Sequence, residues 1–318
     1  MDTALALGQR SGVIRSLLSS GVVVLLLVGC TSAPPDPGVD DSPTFGKATV
    51  LADEAFRLLL DDHALVFNAT YPDAQITMYY MPEGELTKAM LADSVRCVFA
   101  AFRPGGEQLA YFRTRNLSPH IESVATDAIA VLVSPNNPIA KLSTTELRAM
   151  LEGALTVWPG TGTPITPLFD TQGSSVPRTL VDSLLNGRVE RLTRGASASG
   201  IQDLVQRVAS DPGAIGFVSF ATISDLDDPQ CRALRGSVKI LPISITETST
   251  AFPPEQGTLK DKSYPLRRSV IMLVTEGKSG LGTGFASFVA GHKGQRIILK
   301  QGLAPERVPA RDVEIVHD

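Results

Sequence analysis

The stretch Ala128-Ile-Ala-Val-Leu-Val133 decides the fold, because it is six consecutive apolar residues without a charge. Its length, its β-branched residues and the Ser134-Pro135 that follows predict a buried central strand. Further strands are predicted at 48–51, 74–79, 94–102, 165–169, 214–219, 238–245 and 269–274. Helices are predicted between them, one beginning at a capping box of Ser143 and Glu146, and a last one over 284–299 that is interrupted by Gly291 and Gly294. This alternation predicts an α/β fold with mostly parallel strands.

The composition of the 318-residue chain narrows the class of protein. Hydrophobic residues make up 43% and charged residues 19%, so the chain can bury a core without support from disulfides or metals. The net charge of −4 argues against a nucleic-acid-binding protein, which needs a basic face. The four histidines are scattered and lack the spacing of a metal site, so we expect no metal and no cofactor.

The first residues have the pattern of an export signal. Arg10 and Arg15 precede the uncharged apolar run 21–29, and a basic segment followed by about ten apolar residues is typical of a secretory signal. A single-pass anchor is the alternative, but a bilayer span needs roughly 20 apolar residues. Leu27-Val-Gly-Cys30 resembles the bacterial lipobox, which implies cleavage before Cys30 and a lipid on that cysteine.

Residues 1–29 are therefore predicted to be a lipoprotein signal peptide, and 30–46 a lipidated Cys30 followed by a flexible tether rich in Pro, Asp and Ser. We expect the protein to be lipid-anchored in the cell envelope, facing the periplasm or the outer surface. That compartment would permit a disulfide between Cys97 and Cys231. Their spacing matches no known framework, so two separate thiols are the preferred interpretation.

The best candidate for a ligand site is the loop 170–178, which joins a predicted strand to a predicted helix. The first N–H groups of a helix lack internal partners and carry positive partial charge, so an oxyanion binds well there. The alternative is that Ser174 or Ser175 only caps the helix. Three other loops, at 52–55, 100–103 and 195–200, have an equivalent position in the alternating pattern of strands and helices. The four loops together predict one shared site. Its predicted ligand-binding residues are Asp53, Glu54, Arg103, Asp170, Thr171, Gly173, Ser174, Ser175, Arg178 and Ser197.

No convincing catalytic group is apparent in the sequence. The run 195–200 superficially resembles the G-x-S-x-G elbow of esterases, but its second glycine comes one position late. An envelope hydrolase that uses Ser174 or Ser197 is therefore a remote alternative, and we predict that the protein is not an enzyme.

Several segments, in order along the chain, resemble the phosphate-binding proteins of bacterial ABC importers, which have the type II periplasmic binding fold. They are 127–136, 142–153 with Trp158, 173–175, 214–218, 264–268 and 294–305. The resemblance implies two lobes joined by two crossover strands that act as a hinge, with lobe I at 47–131 and 240–318 and lobe II at 132–239. It also implies a monomer that binds phosphate or a similar oxyanion in the interlobe cleft and delivers it to an ABC permease.

The anion loop departs from the family pattern R-S-D-G-S-G-T. Asp170 stands at the arginine position and Gln172 at the aspartate position. Arg103 falls where the family has Ser-Asp, so the resemblance leaves Asp53 or Asp170 as the proton acceptor and Arg103 or Arg178 as the cation. A ligand other than phosphate stays open. The alternative function is a non-transport envelope lipoprotein that uses this fold as a sensor or protein-interaction module.

Overall fold

A computed structural model describes residues 41–92 and 95–308 of the chain. The strands are β1 Gly46–Asp53, β2 Ala74–Met81, β3 Cys97–Ala100, β4 His120–Val133, β5 Leu142–Ser143, β6 Thr166–Phe169, β7 Ala196–Ser197, β8 Ala214–Ser219, β9 Lys239–Ile240, β10 Ile243–Ser244, β11 Arg267–Val274 and β12 Ala304–Pro305. The helices are α1 Arg57–Thr70, α2 Glu83–Ala89, α3 Gly106–Thr114, α4 Thr144–Leu151, α5 Ser175–Leu184, α6 Ile201–Ser210, α7 Pro229–Gly236, α8 Gln256–Lys260, α9 Leu281–Ala290 and α10 His292–Lys300.

The main sheet has the strand order β2-β1-β3-β11-β4-β8-β6-β7, and β9 and β12 also pair with β4. Strands at its two ends run parallel, whereas the pairs β3–β11, β11–β4 and β4–β8 are antiparallel. The first part of β4 pairs with β11, and its residues 129–133 pair with β8. One continuous strand therefore runs from the sheet of one lobe into the sheet of the other, and the fold is the predicted two-lobed α/β fold.

The apolar stretch 128–133 forms the second half of β4, and all six of its residues are 0% exposed. The prediction of a buried central strand is confirmed. Because helices cover the strands, the core is one large cluster around β4 with a smaller cluster beneath α2 and α3. The predicted capping box is also confirmed: the Glu146 N–H donates to Ser143 Oγ at 3.1 Å, and the Ser143 N–H donates to Glu146 Oε2 at 2.7 Å.

Two predicted elements differ from the structure. The interruption of the last helix at Gly291 is confirmed, because the backbone there is extended (φ −81°, ψ 176°) and separates α9 from α10. The interruption predicted at Gly294 is wrong, since Gly294 lies within α10. The predicted strand 238–245 is two short strands in different sheets. β9 pairs with β4, whereas β10 pairs with β5, and Pro242 between them has no N–H to donate to a neighbouring strand.

The amino-terminal segment and the cysteines were also the subject of predictions. Cys30 and the proposed signal lie outside the described residues. Asp41 Oδ1 accepts a hydrogen bond from the N–H of Leu281 at 2.7 Å, so the end of the proposed tether packs against the start of α9. Within the described chain, Cys97 and Cys231 are buried free thiols, which confirms two separate thiols. The predicted lobe boundaries stay a prediction.

Candidate functional site

The first loop of the candidate site follows the carboxyl end of β1, where α/β folds place their ligands. Asp53 is 0% exposed, and its Oδ1 accepts a hydrogen bond from the Ala55 N–H at 3.0 Å. This bond caps a single 3₁₀ turn at residues 54–56. Asp53 Oδ2 has no hydrogen-bond partner among residues 41–92 and 95–308. A buried carboxylate oxygen without a donor costs free energy, so this oxygen is a candidate for contact with a ligand.

The second loop joins β6 to α5 and is occupied by its own carboxylate. Asp170 is 6% exposed, and its Oδ1 accepts hydrogen bonds from the Thr171 N–H at 2.9 Å and the Ser174 hydroxyl at 2.5 Å. Gly173 has a φ of +78°, a left-handed conformation that glycine adopts without strain. Asp170 therefore engages two of the donors that an oxyanion in this loop would use.

The start of α5 contacts a buried cation, Arg268. Ser174 occupies the N-cap position, but within the part of the chain that the structure describes its side chain makes no capping hydrogen bond. Ser174 therefore has the position of a capping residue but does not make the hydrogen bond of one. Ser175 begins the helix, is 0% exposed, and accepts a hydrogen bond from Arg268 Nη1 at 2.7 Å.

Arg268 lies on β11, and its side chain is 3% exposed. Its Nε donates to Asp127 Oδ2 at 2.7 Å, and Asp127 also accepts from the Ser219 hydroxyl at 2.7 Å and the Ala221 N–H at 2.9 Å. Arg268 Nη2, by contrast, has no hydrogen-bond partner in the described chain. The guanidinium is thus neutralised on one edge and still offers a donor on the other.

Arg178 connects α5 to the loops after β2 and β3. Its Nε donates to Glu83 Oε1 at 2.5 Å, Nη2 donates to Glu83 Oε2 at 3.0 Å and to the Ala101 carbonyl at 2.9 Å, and Nη1 donates to Asp182 at 2.6 Å. The Gly84 N–H adds a hydrogen bond to the Gly173 carbonyl at 3.2 Å. These contacts hold α2 against the β6–α5 loop. They also engage the guanidinium of Arg178, which the sequence analysis had named as a possible cation for an anionic ligand.

Three carboxyl groups of the region, those of Asp170, Glu54 and Glu83, lie in an environment that disfavours their charged form. Burial raises the pKa of Asp170, and the nearby Asp53 carboxylate raises it further. Burial also raises the pKa of Glu54, with contributions from Asp170 and Asp53. The pKa of Glu83 is raised by burial although the Arg178 guanidinium opposes the shift. The physical cause is shared: desolvation and like charge both favour the neutral carboxyl.

A cavity of about 450 Å³ opens beside these loops. Its wall is formed by residues from the segments 54–61, 170–171, 200–202, 222 and 228–234. It therefore lies between the start of α1, the β6–α5 loop, the start of α6, and α7. Within the described chain its charged lining residues are Arg57, Glu54, Asp61, Asp170 and Asp228.

The structure brings most of the predicted site residues to the cavity or to the loop and helix start beside it. Glu54, Asp170 and Thr171 line the cavity, and Asp53 is bonded to Ala55 in its wall. Gly173, Ser174, Ser175 and Arg178 belong to the adjoining loop and helix start. Arg103 and Ser197 are exposed and are not among the described residues that line the cavity.

Sequence reasoning missed several charged residues of this region. Arg268 and Asp127 were noted only as parts of segments that resemble a family, and their pairing joins residues 141 positions apart. Asp61 and Asp228 read as ordinary acids on or before helices. A useful signal for Arg268 was its position in the apolar strand β11, where a charged residue needs a buried partner.

Comparison with known proteins identifies the family. The profile of the PBP superfamily domain matches residues 37–293, which is most of the chain. No curated protein matches the sequence.

Solved structures match the fold over most of the chain at low identity. One from Clostridium perfringens, described as a phosphate ABC transporter substrate-binding protein with bound phosphate, has a TM-score of 0.69 at 18% identity, covering 82% of this chain and 100% of that one. An ABC-type phosphate transport receptor from Vibrio cholerae has a TM-score of 0.61 at 15% identity, with coverage of 81% and 99%. The periplasmic phosphate-binding protein PfluDING, bound with phosphate, has a TM-score of 0.63 at 12% identity, with coverage of 83% and 91%. The chain therefore has the two-lobed periplasmic-binding-protein fold.

The described residues contain neither a candidate membrane span nor a candidate metal site. None of their helices combines the length and apolar character that crossing a membrane requires. Their His, Cys, Asp and Glu side chains form no group of three that could hold a metal ion.

Proposed function

Because the chain belongs to the PBP superfamily, we propose that it is the substrate-binding protein of an ABC importer, which binds phosphate or a related oxyanion reversibly between its lobes and delivers it to a permease. The binding involves no covalent chemistry. The lipid on Cys30 would hold the protein at the membrane near its permease, since two or more acyl chains anchor a protein firmly.

The observation that carries the oxyanion proposal is the buried edge of Arg268. Its Nη1 is bonded to Ser175 at the start of α5, and its Nη2 lacks a partner in the described chain. A guanidinium and a helix N-terminus are both suited to an oxyanion, because both present N–H donors with positive charge. Asp53 Oδ2 would accept the proton of a protonated oxyanion. The phosphate transport proteins of the same fold support phosphate as the first ligand to test.

Asp170 opposes the same ligand while it is ionised. Its carboxylate engages the Thr171 N–H and the Ser174 hydroxyl, and two like charges in one loop repel. Burial raises the pKa of Asp170 and so favours its neutral form. A protonated Asp170 would not repel the oxyanion and would donate a hydrogen bond to it. Oxyanion affinity is therefore expected to rise as the pH falls.

Calorimetry tests the proposal with the purified full chain, freed of carried-over ligand by unfolding and refolding. Phosphate, arsenate, sulfate, molybdate and tungstate are titrated in turn, and we expect heat with phosphate. Asp170→Asn should raise phosphate affinity by about tenfold, because it keeps the accepting oxygen and removes the charge. The control is Glu247→Gln, which changes an exposed glutamate outside the cavity wall. Absence of heat with all five anions would reject the oxyanion proposal.

The lipid anchor and the transport role need separate tests. Mass spectrometry of the amino-terminal peptide should find acyl chains on Cys30, and Cys30→Ser should release the protein from the membrane fraction. Genes for a permease pair and an ATPase beside the coding sequence would support delivery to an importer. If phosphate uptake by cells is unchanged when the protein is deleted, transport of phosphate is rejected.

A second candidate function is favoured by the Asp170 side chain. Because it engages donors of the anion loop in the described chain, the protein would serve as an envelope sensor or protein-interaction module that keeps the fold without importing a solute. That candidate predicts no solute binding and no permease genes nearby. It is rejected if the calorimetry shows saturable binding and deletion abolishes uptake.

A further inference from the structure

The cavity beside the β6–α5 loop is larger than an inorganic oxyanion needs. Its volume of about 450 Å³ falls within the 300–1,000 Å³ that pockets for small organic ligands occupy. Apolar side chains such as Leu58 and Leu234 share the wall with polar ones. The size and mixed lining fit a small organic solute.

The charge of the cavity wall is the opposite of that expected for an anion. Four carboxylates, Glu54, Asp61, Asp170 and Asp228, and one cation, Arg57, line it within the described residues. With all five groups ionised, the wall carries a charge of −3. The Arg57 guanidinium lies over the Tyr80 ring, 4.2 Å from its centroid.

Two acceptors in this region have no donor. Glu54 Oε1 is a buried atom without a hydrogen-bond partner in the described chain, and Glu54 lines the cavity. Asp53 is 0% exposed, its Oδ1 is fixed by the N–H of Ala55 in the cavity wall, and its Oδ2 is equally without a partner in that part of the chain. The Asp53 charge acts on both Glu54 and Asp170. Glu54 Oε1, the partnerless acceptor in the cavity wall, therefore needs a donor, and the Asp53 charge behind it favours a donor that is positively charged.

We propose that this cavity binds the protonated amine of a small organic solute, with Glu54, Asp61 and Asp170 as its carboxylate partners and Asp53 as the charge behind them. An ammonium group has three donors and no acceptor, so it satisfies the partnerless Glu54 Oε1 and reduces the repulsion among the carboxylates. A neutral donor would supply the missing hydrogen bond but would not reduce the repulsion among the carboxylates. The inference rests on the proposed function, reversible solute binding in the cleft, and names the class of the solute at the same site.

An amine-bearing phosphate ester would meet both halves of the site. Its phosphoryl group would contact Arg268 and the start of α5, while its amine would occupy the acidic cavity. A plain amine would use the cavity alone. Both solutes carry a protonated amine, and the experiment below distinguishes the phosphate ester from the plain amine.

Calorimetry at pH 7 with the full chain compares phosphoethanolamine, 2-hydroxyethyl phosphate, ethanolamine and inorganic phosphate. The first two differ only by an amine in place of a hydroxyl. We expect phosphoethanolamine to bind at least about tenfold more tightly than its hydroxyl analogue, because each charged hydrogen bond to the amine adds affinity. The preference should fall in Glu54→Gln and in Asp61→Asn and persist in Glu247→Gln, a change of an exposed glutamate on another loop. Circular dichroism checks that each variant is folded.

The outcomes separate this inference from the proposed function. Equal affinities for phosphoethanolamine and 2-hydroxyethyl phosphate overturn the amine site and leave oxyanion binding in place. Binding of ethanolamine without binding of any phosphoryl compound supports the amine site and overturns the oxyanion proposal. An amine preference that Glu54→Gln and Asp61→Asn both leave intact overturns the assignment to this cavity. Absence of heat with all four compounds overturns both.

Discussion

Removal of either member of the buried ion pair between Arg268 and Asp127 is expected to lower the free energy of unfolding by about 3–5 kcal/mol. The two side chains are 3% and 0% exposed, so water cannot take the place of a lost partner. Asp127→Ala leaves the guanidinium, among the described residues, with its hydrogen bond to Ser175 and with the Phe56 ring, whose centroid lies 5.3 Å away. It also removes the acceptor of the Ser219 hydroxyl and the Ala221 N–H. The exchange therefore buries an uncompensated cation beside two unpaired donors.

A double-mutant cycle isolates the pair from its neighbours. Arg268→Met removes the charge with little loss of apolar volume, and it leaves Asp127 with two hydrogen-bond donors. We expect the double variant to be less destabilised than the sum of the single variants by about 0.5–3 kcal/mol, the coupling found for contacting residues. The double variant removes both buried charges, so neither is left unpaired.

Urea unfolding at pH 7 provides the assay. Trp158, the only tryptophan of the chain, is 1% exposed and donates to the Gly213 carbonyl at 3.1 Å, so its fluorescence reports loss of the core. The control is Lys300→Ala, which breaks an exposed 3.8 Å ion pair and should change the free energy by less than about 0.5 kcal/mol. Single losses below about 1 kcal/mol, or a coupling of zero, would refute the reasoning.

Three further predictions concern a glycine, a carboxyl group and the thiols. Gly195→Ala should cost about 2–4 kcal/mol in urea unfolding, because Gly195 has a φ of +145° and a Cβ there would overlap the Phe169 ring. Asp170→Asn should flatten the fall of stability with rising pH. The folded state holds the Asp170 proton to a higher pH than the unfolded state does, so the wild type loses stability as pH rises above about 3.8. Cys97 and Cys231 should resist iodoacetamide at pH 8 in the native chain and react in urea, because burial raises the pKa of both thiols, that of Cys231 to about 12.

Each of these predictions has a control and a contrary outcome. Gly257→Ala adds a Cβ with nothing within 4 Å and should be neutral or stabilising; an equal loss at both glycines would contradict the steric argument. Glu247→Gln, a change of an exposed glutamate, should leave the pH slope as it is, and an unchanged slope in Asp170→Asn would show that the buried carboxyl does not titrate as argued. Peptide mapping assigns the labelled thiol, and native labelling of Cys231 at the rate seen in urea would contradict its protection.

The parts of the fold that the sequence predicted are those with local causes. The run 128–133 is apolar throughout, as a strand buried on both faces requires, and its β-branched residues and the Ser134-Pro135 that follows favour a strand over a buried helix. The capping box of Ser143 and Glu146 acts between residues three positions apart. The first half of β4, from His120, was not predicted as strand, because its residues are mixed in polarity and its strand geometry comes from pairing with β11.

The candidate site divides in the same way. The sequence by itself determined which loops follow strands, and so it named Asp53, Glu54 and the β6–α5 loop. Tertiary structure alone decided which charges meet: Arg178 with Glu83 at a separation of 95 residues, and Arg268 with Asp127 at 141. It also decided that the donors of the anion loop are engaged by the chain's own Asp170. The reason is physical, since helices and turns are set by neighbours along the chain, whereas Coulomb energy and desolvation depend on distance and burial in space.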